Sequence, residues 1–375
     1  MVSESENLRP AAQRLISLDA FRGITIAGMI LVNNPGDWGN VYPPLLHASW
    51  HGWTPTDLIF PFFLFIVGVA MTFSLAKAGQ EKDRRGLYLK ILRRSAILFA
   101  LGLMLAYVPK FDLAHIRIPG VLQRIALCYG IAAVLFLNTG LRGQIGATVA
   151  ILLGYWGIMV LIPTPGYAAG DLTVEGNLAA HVDRFFLYGH LYKPTWDPEG
   201  LLSTLPAIAT TLSGILAGHW LRSGESKETI AGWLFVGGWI AIVAGLFWGI
   251  AFPINKNLWT SSYVVFTAGA ALQFLGFCYW LIDVQGIRRW AWPAIVYGSN
   301  AIAVFVLSGV LVRILIYTRL GEGETSVSLK TWLYQNLFLS WASPVNASLA
   351  FAVANVLFWL MIMAVFYRKK IFIKI

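Results

Sequence analysis

The stretch TPTDLIFPFFLFIVG, residues 54–68, turns from polar to apolar within a few positions and then stays apolar. Thr54 is a helix N-cap by residue type, and Pro55 suits the first helical position. Asp57 stands where the acid of a capping box would stand. No polar side chain follows until Thr72. The expectation is a helix over 55–76, long enough for the roughly 20 residues that cross a bilayer.

Comparable runs recur on both sides of it. Ten spans are expected, at 15–33, 55–76, 89–108, 118–138, 143–163, 200–221, 229–251, 258–282, 290–316 and 345–367. The composition agrees. The chain is 57% hydrophobic and 12% charged, with a mean hydropathy of +0.66. A soluble domain carries about 25% charge. The fold class read from this is all-α: a polytopic membrane protein of about ten transmembrane helices, forming one domain over 1–375. A β-barrel is excluded, because its strands would be roughly 10-residue alternating segments. The first run carries Asp19 and Arg22 and lacks an A-x-A-like exit, so it is expected to remain as a span and not to be cleaved as a signal. Cys128 and Cys278 both lie inside apolar runs, which argues against a disulfide and leaves no metal-ligand spacing.

Charge sets the expected orientation, since cytoplasmic loops retain Lys and Arg. With the N-terminus inside, the inside segments hold 18 basic and 7 acidic residues, and the outside segments hold 7 and 9. Both termini are therefore expected in the cytoplasm, in a plasma (bacterial inner) membrane. The short mixed segment SLKTWLYQNLFLSWA (328–342) is read as interfacial or re-entrant, because a full span there would place the basic tail outside. A basic inner face suits anionic lipid headgroups or a polyanionic cytosolic cofactor. Nucleic acid is not an expected partner.

Upstream of residue 54 lies PGDWGNVYPPLLHASWHGW (35–53), too rich in Gly and Pro for one regular helix. Such backbone is tolerated at membrane depth only where protein buries it or it lines a cavity. An irregular or re-entrant outer loop is expected here. It carries His47 and His51, and histidine is the side chain suited to proton transfer near neutrality. They are also ordinary belt residues beside Trp50 and Trp53. Asp57 has two readings, as a cap or as the carboxylate that orients an imidazole. Asp19 and Arg22, three apart on one helix face, read either as a structural pair or as a site at which Arg22 meets an anionic ligand. Arg124 and Gln123, two turns into the fourth span, and Asn300 in the ninth are polar residues at functional depth. Asp197 and Glu199 open the sixth span, Asp197 mainly as a cap and Glu199 as a candidate for binding an amine. Lys256, Asn257 and Trp259 are expected at the outer face, with Lys256 also readable as a snorkelling lysine.

SLDAFRG (17–23), LVNN (31–34) and HASWHGWTPTDLIFPFFLFIVG (47–68) together resemble the heparan-α-glucosaminide N-acetyltransferase family of transmembrane acyltransferases. The likeness continues in order through RIPGVLQRIALCY (117–129), WDPEGLLSTLPAI (196–208), PINKNLWTSSYV (253–264) and YGSNAIAVFV (297–306). The chain starts at the shared core and looks like a minimal, bacterial-type version. The resemblance implies that an acetyl group passes from cytosolic acetyl-CoA to the amine of a glucosamine-type sugar on the far side. It places the family's active-site histidine on His47, as general base or acetyl carrier, and its span-ending asparagine on Asn33; Asp57, from its own position near that histidine, joins them as a catalytic candidate. His51 departs from the family pattern and receives no catalytic role. Arg22, Arg124 and Asn300 are the candidates for holding the acetyl-CoA donor. Lys256, Asn257, Trp259 and Glu199 are the candidates for the acceptor, with Trp259 as an aromatic platform. Acetyl-CoA enters as co-substrate and no metal is implied. The expected partners are the amino sugar, CoA, membrane lipids and a second copy in a homodimer. Two other readings fit the spans: an amino-sugar permease, and an O-acyltransferase of envelope polysaccharide.

Overall fold

The computed structural model describes residues 15–78, 84–109, 111–322 and 326–373, with no account of the side chains of 76–78. Of the charged residues counted above, Glu4, Glu6, Arg9, Arg14, Glu81, Lys82, Asp83, Lys110, Glu324 and Lys374 lie outside the described residues.

The chain is a bundle of helices. The first is α1 (Ile16–Asn33), followed by the irregular loop, whose only helical piece is one turn at Pro43–Leu45. A tight turn at Pro55–Leu58 leads into α2 (Ile59–Ala78). Next come α3 (Arg84–Tyr107), α4 (Val121–Asn138), α5 (Leu141–Leu161), the short α6 (Leu178–Leu187), α7 (Thr204–Leu221) and α8 (Lys227–Ala251). α9 (Ser261–Tyr279) widens into a π turn at Trp280–Val284. α10 (Trp292–Ser299) and α11 (Ala301–Tyr317) meet at Asn300, and α12 (Leu329–Leu337) and α13 (Pro344–Arg368) close the chain. A two-residue antiparallel pair, β1 (Arg319–Leu320) with β2 (Val327–Ser328), is the only sheet among the described residues.

Every expected span falls on a helix or on a broken pair. Seven of the described helices are long and apolar enough to cross a membrane, and α10 with α11, bent by 71°, would make an eighth. α3 and α7 occupy the other two expected spans and fall short of that standard. α3 carries Lys90, Arg93 and Arg94 in its first half, and α7 has 18 residues with Thr210, Thr211, Ser213 and His219 among them. The count of ten is therefore not reached on length and apolarity. α12, at nine residues, is too short to span.

α1 is the central helix and touches α2, α9, α10, α11 and α13. Two close approaches set the bundle's geometry. α2 and α7 meet at glycines: a Cβ on Gly68 would lie 2.0 Å from the Thr211 carbonyl oxygen, and one on Gly214 would lie 2.0 Å from that of Phe65. α10 reaches α1 at Gly298, where a Cβ would lie 2.1 Å from the Asp19 carbonyl oxygen. Small residues that bring backbones together are how helices associate in lipid, where apolar burial offers little net gain.

Gly214→Ala is expected to destabilise the protein by about 1–3 kcal/mol, because the α2–α7 contact must open. Gly146→Ala, on α5 with nothing within 4 Å of the added carbon, should be neutral or slightly stabilising. Thermal unfolding in detergent of the two variants checks both.

Candidate active site

The capping box expected at residue 54 forms, and it does more than start a helix. Asp57 is 1% exposed. Its Oδ2 accepts hydrogen bonds from the Thr54 N–H at 2.9 Å and the Ala48 N–H at 3.0 Å, with the Thr54 hydroxyl oxygen 3.2 Å away. Its Oδ1 is left for His47 Nδ1, 2.6 Å away. Both readings of Asp57 therefore hold, one on each oxygen. Thr54 Oγ1 donates to the Leu46 carbonyl at 2.6 Å and Thr56 Oγ1 to that of Pro44 at 3.1 Å. These bonds pin 44–48 across the start of α2. The Tyr263 hydroxyl donates to the Asp57 carbonyl at 2.5 Å, tying the same turn to α9.

A second loop meets this one. The Gly52 N–H donates to the Ile254 carbonyl at 2.7 Å, and Gly52 takes φ 95°, which a residue with a Cβ seldom adopts. The contact carries Lys256 over the imidazole, with Nζ 3.3 Å from both His47 ring nitrogens. Removal from water lowers the Lys256 pKa from the ordinary lysine value, partly offset by Glu199 and Asp57. His51 lies beside this contact, 3.3 Å from Asn255 Nδ2, and burial lowers its pKa.

Arg117 forms the third side. It donates Nε and NH2 to both Asp197 oxygens at 2.9 and 2.7 Å, and it also pairs with Glu199. Its guanidinium lies 4.7 Å from the centre of the Tyr192 ring. Burial raises the Glu199 pKa; Arg117, followed by Arg124 and Lys256, reverses that and holds the carboxyl below the usual glutamate value. Asp197 also accepts from the Tyr192 and Glu199 N–H groups at 2.7 and 2.9 Å, so it organises this loop; α7 starts only at Thr204, with Ser203 before it, and Asp197 does not cap it.

These groups surround one cavity of about 340 Å³, lined among others by Asn33, His47, Arg117, Trp196, Glu199 and Lys256, with Asn257 at its edge. Asn33 ends α1 here with its side chain exposed. A larger cavity of about 580 Å³ lies toward the other end of α1, among Asp19, Arg22, Ser74 and Arg94. Arg22 pairs with Asp19 at 3.2 Å and approaches the Gly298 carbonyl at 3.4 Å. Between the two is a small apolar space of about 10 Å³. It shares Met29 and Val121 with the first cavity, and Phe63, Ile125 and Ile302 with the second. The eleven positions from Arg22 to Asn33 correspond to about 16 Å of helix.

Three expected site residues stand elsewhere. Trp259 is fully buried, holds φ 53° and donates Nε1 to Thr210 Oγ1 at 3.1 Å, so it offers no platform to a ligand. Arg124 is 1% exposed and directed at Ser203 Oγ and the Gly200 carbonyl, 2.5 and 3.1 Å away, with its guanidinium over Trp259. It lies behind the Glu199 loop and lines neither cavity. Asn300 spends its amide on backbone: Nδ2 donates to the Ile371 carbonyl at 3.0 Å and Oδ1 accepts from the Ile373 N–H at 2.9 Å. Conversely, sequence reasoning passed over Arg117, Tyr192 and Trp196. Arg117 opens the RIPG stretch and counted only as an outside charge. Trp196 directly precedes Asp197. Among the described residues no group of three or more His, Cys, Asp or Glu is placed to hold a metal ion.

A His–Asp pair with a cation over the ring and an amide nearby can take a proton from a nucleophile and steady an oxyanion. The family described as "Heparan-alpha-glucosaminide N-acetyltransferase, catalytic" matches residues 14–246. The human protein named heparan-alpha-glucosaminide N-acetyltransferase is 31% identical over 96% of this chain and 60% of its own length. Its mouse counterpart is 30% identical over 99% of this chain and 62% of its own length. The chain thus spans about three-fifths of these curated relatives. With the apolar helices and the match over 14–246 taken together, this is an integral membrane protein that belongs to the heparan-α-glucosaminide N-acetyltransferase family.

Proposed function

We propose that the protein is a transmembrane acyltransferase that moves the acetyl group of cytosolic acetyl-CoA to the amine of a glucosamine-type sugar on the opposite face. The observation that carries this reading is the placement of His47, held from behind by buried Asp57, in the wall of a cavity. A narrow apolar neck separates that cavity from a second, arginine-bearing one at the other end of α1. The excess of Lys and Arg on the Arg22 side supports taking that side as cytoplasmic.

In this reading Asp57 Oδ1 accepts the Nδ1 proton of His47 and leaves Nε2 basic. Nε2 takes a proton from the amine as its nitrogen attacks the thioester carbonyl. The oxyanion that forms is steadied by the Lys256 ammonium and the Asn33 amide. Collapse breaks the C–S bond, and the imidazolium returns its proton to the departing thiolate. Glu199, held by Arg117, and Asn257 face the incoming sugar, and Trp196 replaces Trp259 as the aromatic wall. Arg22 and Arg94 supply the charge for the donor phosphates.

Proteoliposomes with acetyl-CoA on one side and glucosamine on the other test the compartments. N-acetylglucosamine should form only with the donor at the Arg22 face. Glucosamine uptake without acetyl-CoA would instead show a permease, and preference for a hydroxyl acceptor an O-acyltransferase.

His47→Ala should lower kcat by about 10²–10⁴-fold, the usual worth of a positioned general base. Asp57→Asn, which keeps the shape but loses the charge on Nδ1, should fall between that variant and the parent. A near-normal rate in His47→Ala would remove the assignment.

Arg117→Met strands Glu199 and Asp197 without their guanidinium, and breaking a buried pair in this way costs about 3–5 kcal/mol. Glu199 has a depressed pKa, so its contribution to stability is present above the unfolded value of about 4.3 and is lost as pH falls through the folded value. The gap in unfolding temperature between parent and Arg117→Met should therefore narrow as pH falls from 7 through that range.

A further inference from the structure

α13 ends at Arg368, and the chain then doubles back. The Ile371 N–H donates to the Phe366 carbonyl at 2.9 Å and the Lys370 N–H to that of Tyr367 at 3.1 Å. Lys370 itself takes φ 57°. This is the paired closure in which glycine usually occupies the left-handed position. A lysine there is held against its own preference. The reversal carries 371–373 across the end of the bundle to the break between α10 and α11, where buried Asn300 grips the backbone at two points. Such a two-point grip fixes register as a neighbouring strand would.

Two devices thus hold a segment that hides little of itself. Phe372 and Ile373 are 39% and 47% exposed, and both line the Arg22 cavity. They share that lining with Arg22, Asp19 and Arg94. A flat ring system with attached phosphates presents the matching chemistry: a face for apolar contact and anionic oxygens for guanidinium groups.

We propose that the segment Ile371–Ile373 is a strap forming part of the donor site, where it contacts the adenine nucleotide end of a CoA-type donor. Asn300 is the positioning residue that holds it there. The assignment rests on acetyl-CoA being the donor, as proposed above.

Two donors separate the effects: acetyl-CoA, and S-acetyl-pantetheine, which lacks the nucleotide. The double variant Phe372→Ala, Ile373→Ala alters only partly exposed side chains. It should raise the KM for acetyl-CoA about tenfold with kcat unchanged, and leave the KM for S-acetyl-pantetheine alone. Asn300→Ala, where it folds, should do the same. Equal changes for both donors, or none for either, would overturn the strap. If the parent protein transfers from neither donor, the proposed function falls. Titration with adenosine 3′,5′-bisphosphate then decides the strap: weaker binding by the double variant than by the parent upholds it, and equal or absent binding overturns it.

Discussion

The Asp57 carboxylate is the constraint on which the site depends. One oxygen closes the turn that starts α2 and receives the N–H of Ala48. The other holds the His47 ring. A buried carboxylate needs compensating donors, and here they are the N–H groups of Thr54 and Ala48 and the imidazole. The loop before α2 has almost no regular structure, so its shape rests on bonds of this kind. The helix start and the seating of the His47 ring are consequently one construction. A change that loosens the cap also releases the ring.

The second loop adds charge to that construction. Lys256 arrives over His47 because Gly52 and Ile254 pair across the two loops. Around it, Asp57 and Glu199 provide negative charge, while Arg117 neutralises Glu199 from the far side. The outcome is a compact set of fixed dipoles and charges that has already met the cost of its own organisation. Preorganisation of this sort is how a protein environment favours a developing oxyanion over the neutral carbonyl.

Much of this is legible in the sequence. The helix beginning at residue 54 declares itself through neighbouring residues, so Thr54, Pro55 and Asp57 could be placed from order alone. Asn33, His47, Lys256, Asn257 and Glu199 were singled out one by one, and the fold gathers them at one cavity. What could not be read depends on partners far away in sequence. Arg117 acquires its meaning from Asp197 and Glu199, some eighty positions on. Trp259 looked like a surface platform because it follows a polar loop, yet its backbone conformation turns it into the core beside Thr210. Asn300 looked like a polar residue facing a ligand, and its ligand is the protein's own backbone. The number of spans was also ambiguous, because α3 and α7 combine helical length with polar or charged residues that length and apolarity alone do not admit.

The narrow apolar neck has an electrical consequence. Its lining includes Met29, Phe63, Ile125 and Ile302, and its volume, about 10 Å³, is roughly that of one water-sized probe. Were the cavities on either side filled with solvent from opposite faces of the membrane, as the proposed reaction requires, most of a membrane voltage would drop across this short collar. An elementary charge carried through the full drop exchanges about 2.3 kcal/mol per 100 mV. A neutral thioester arm passes without electrical work, whereas each phosphate attached to it would have to move against or with the field. In the proposed reaction the collar would thus sort the parts of the donor by charge and leave the insulation of the bilayer intact.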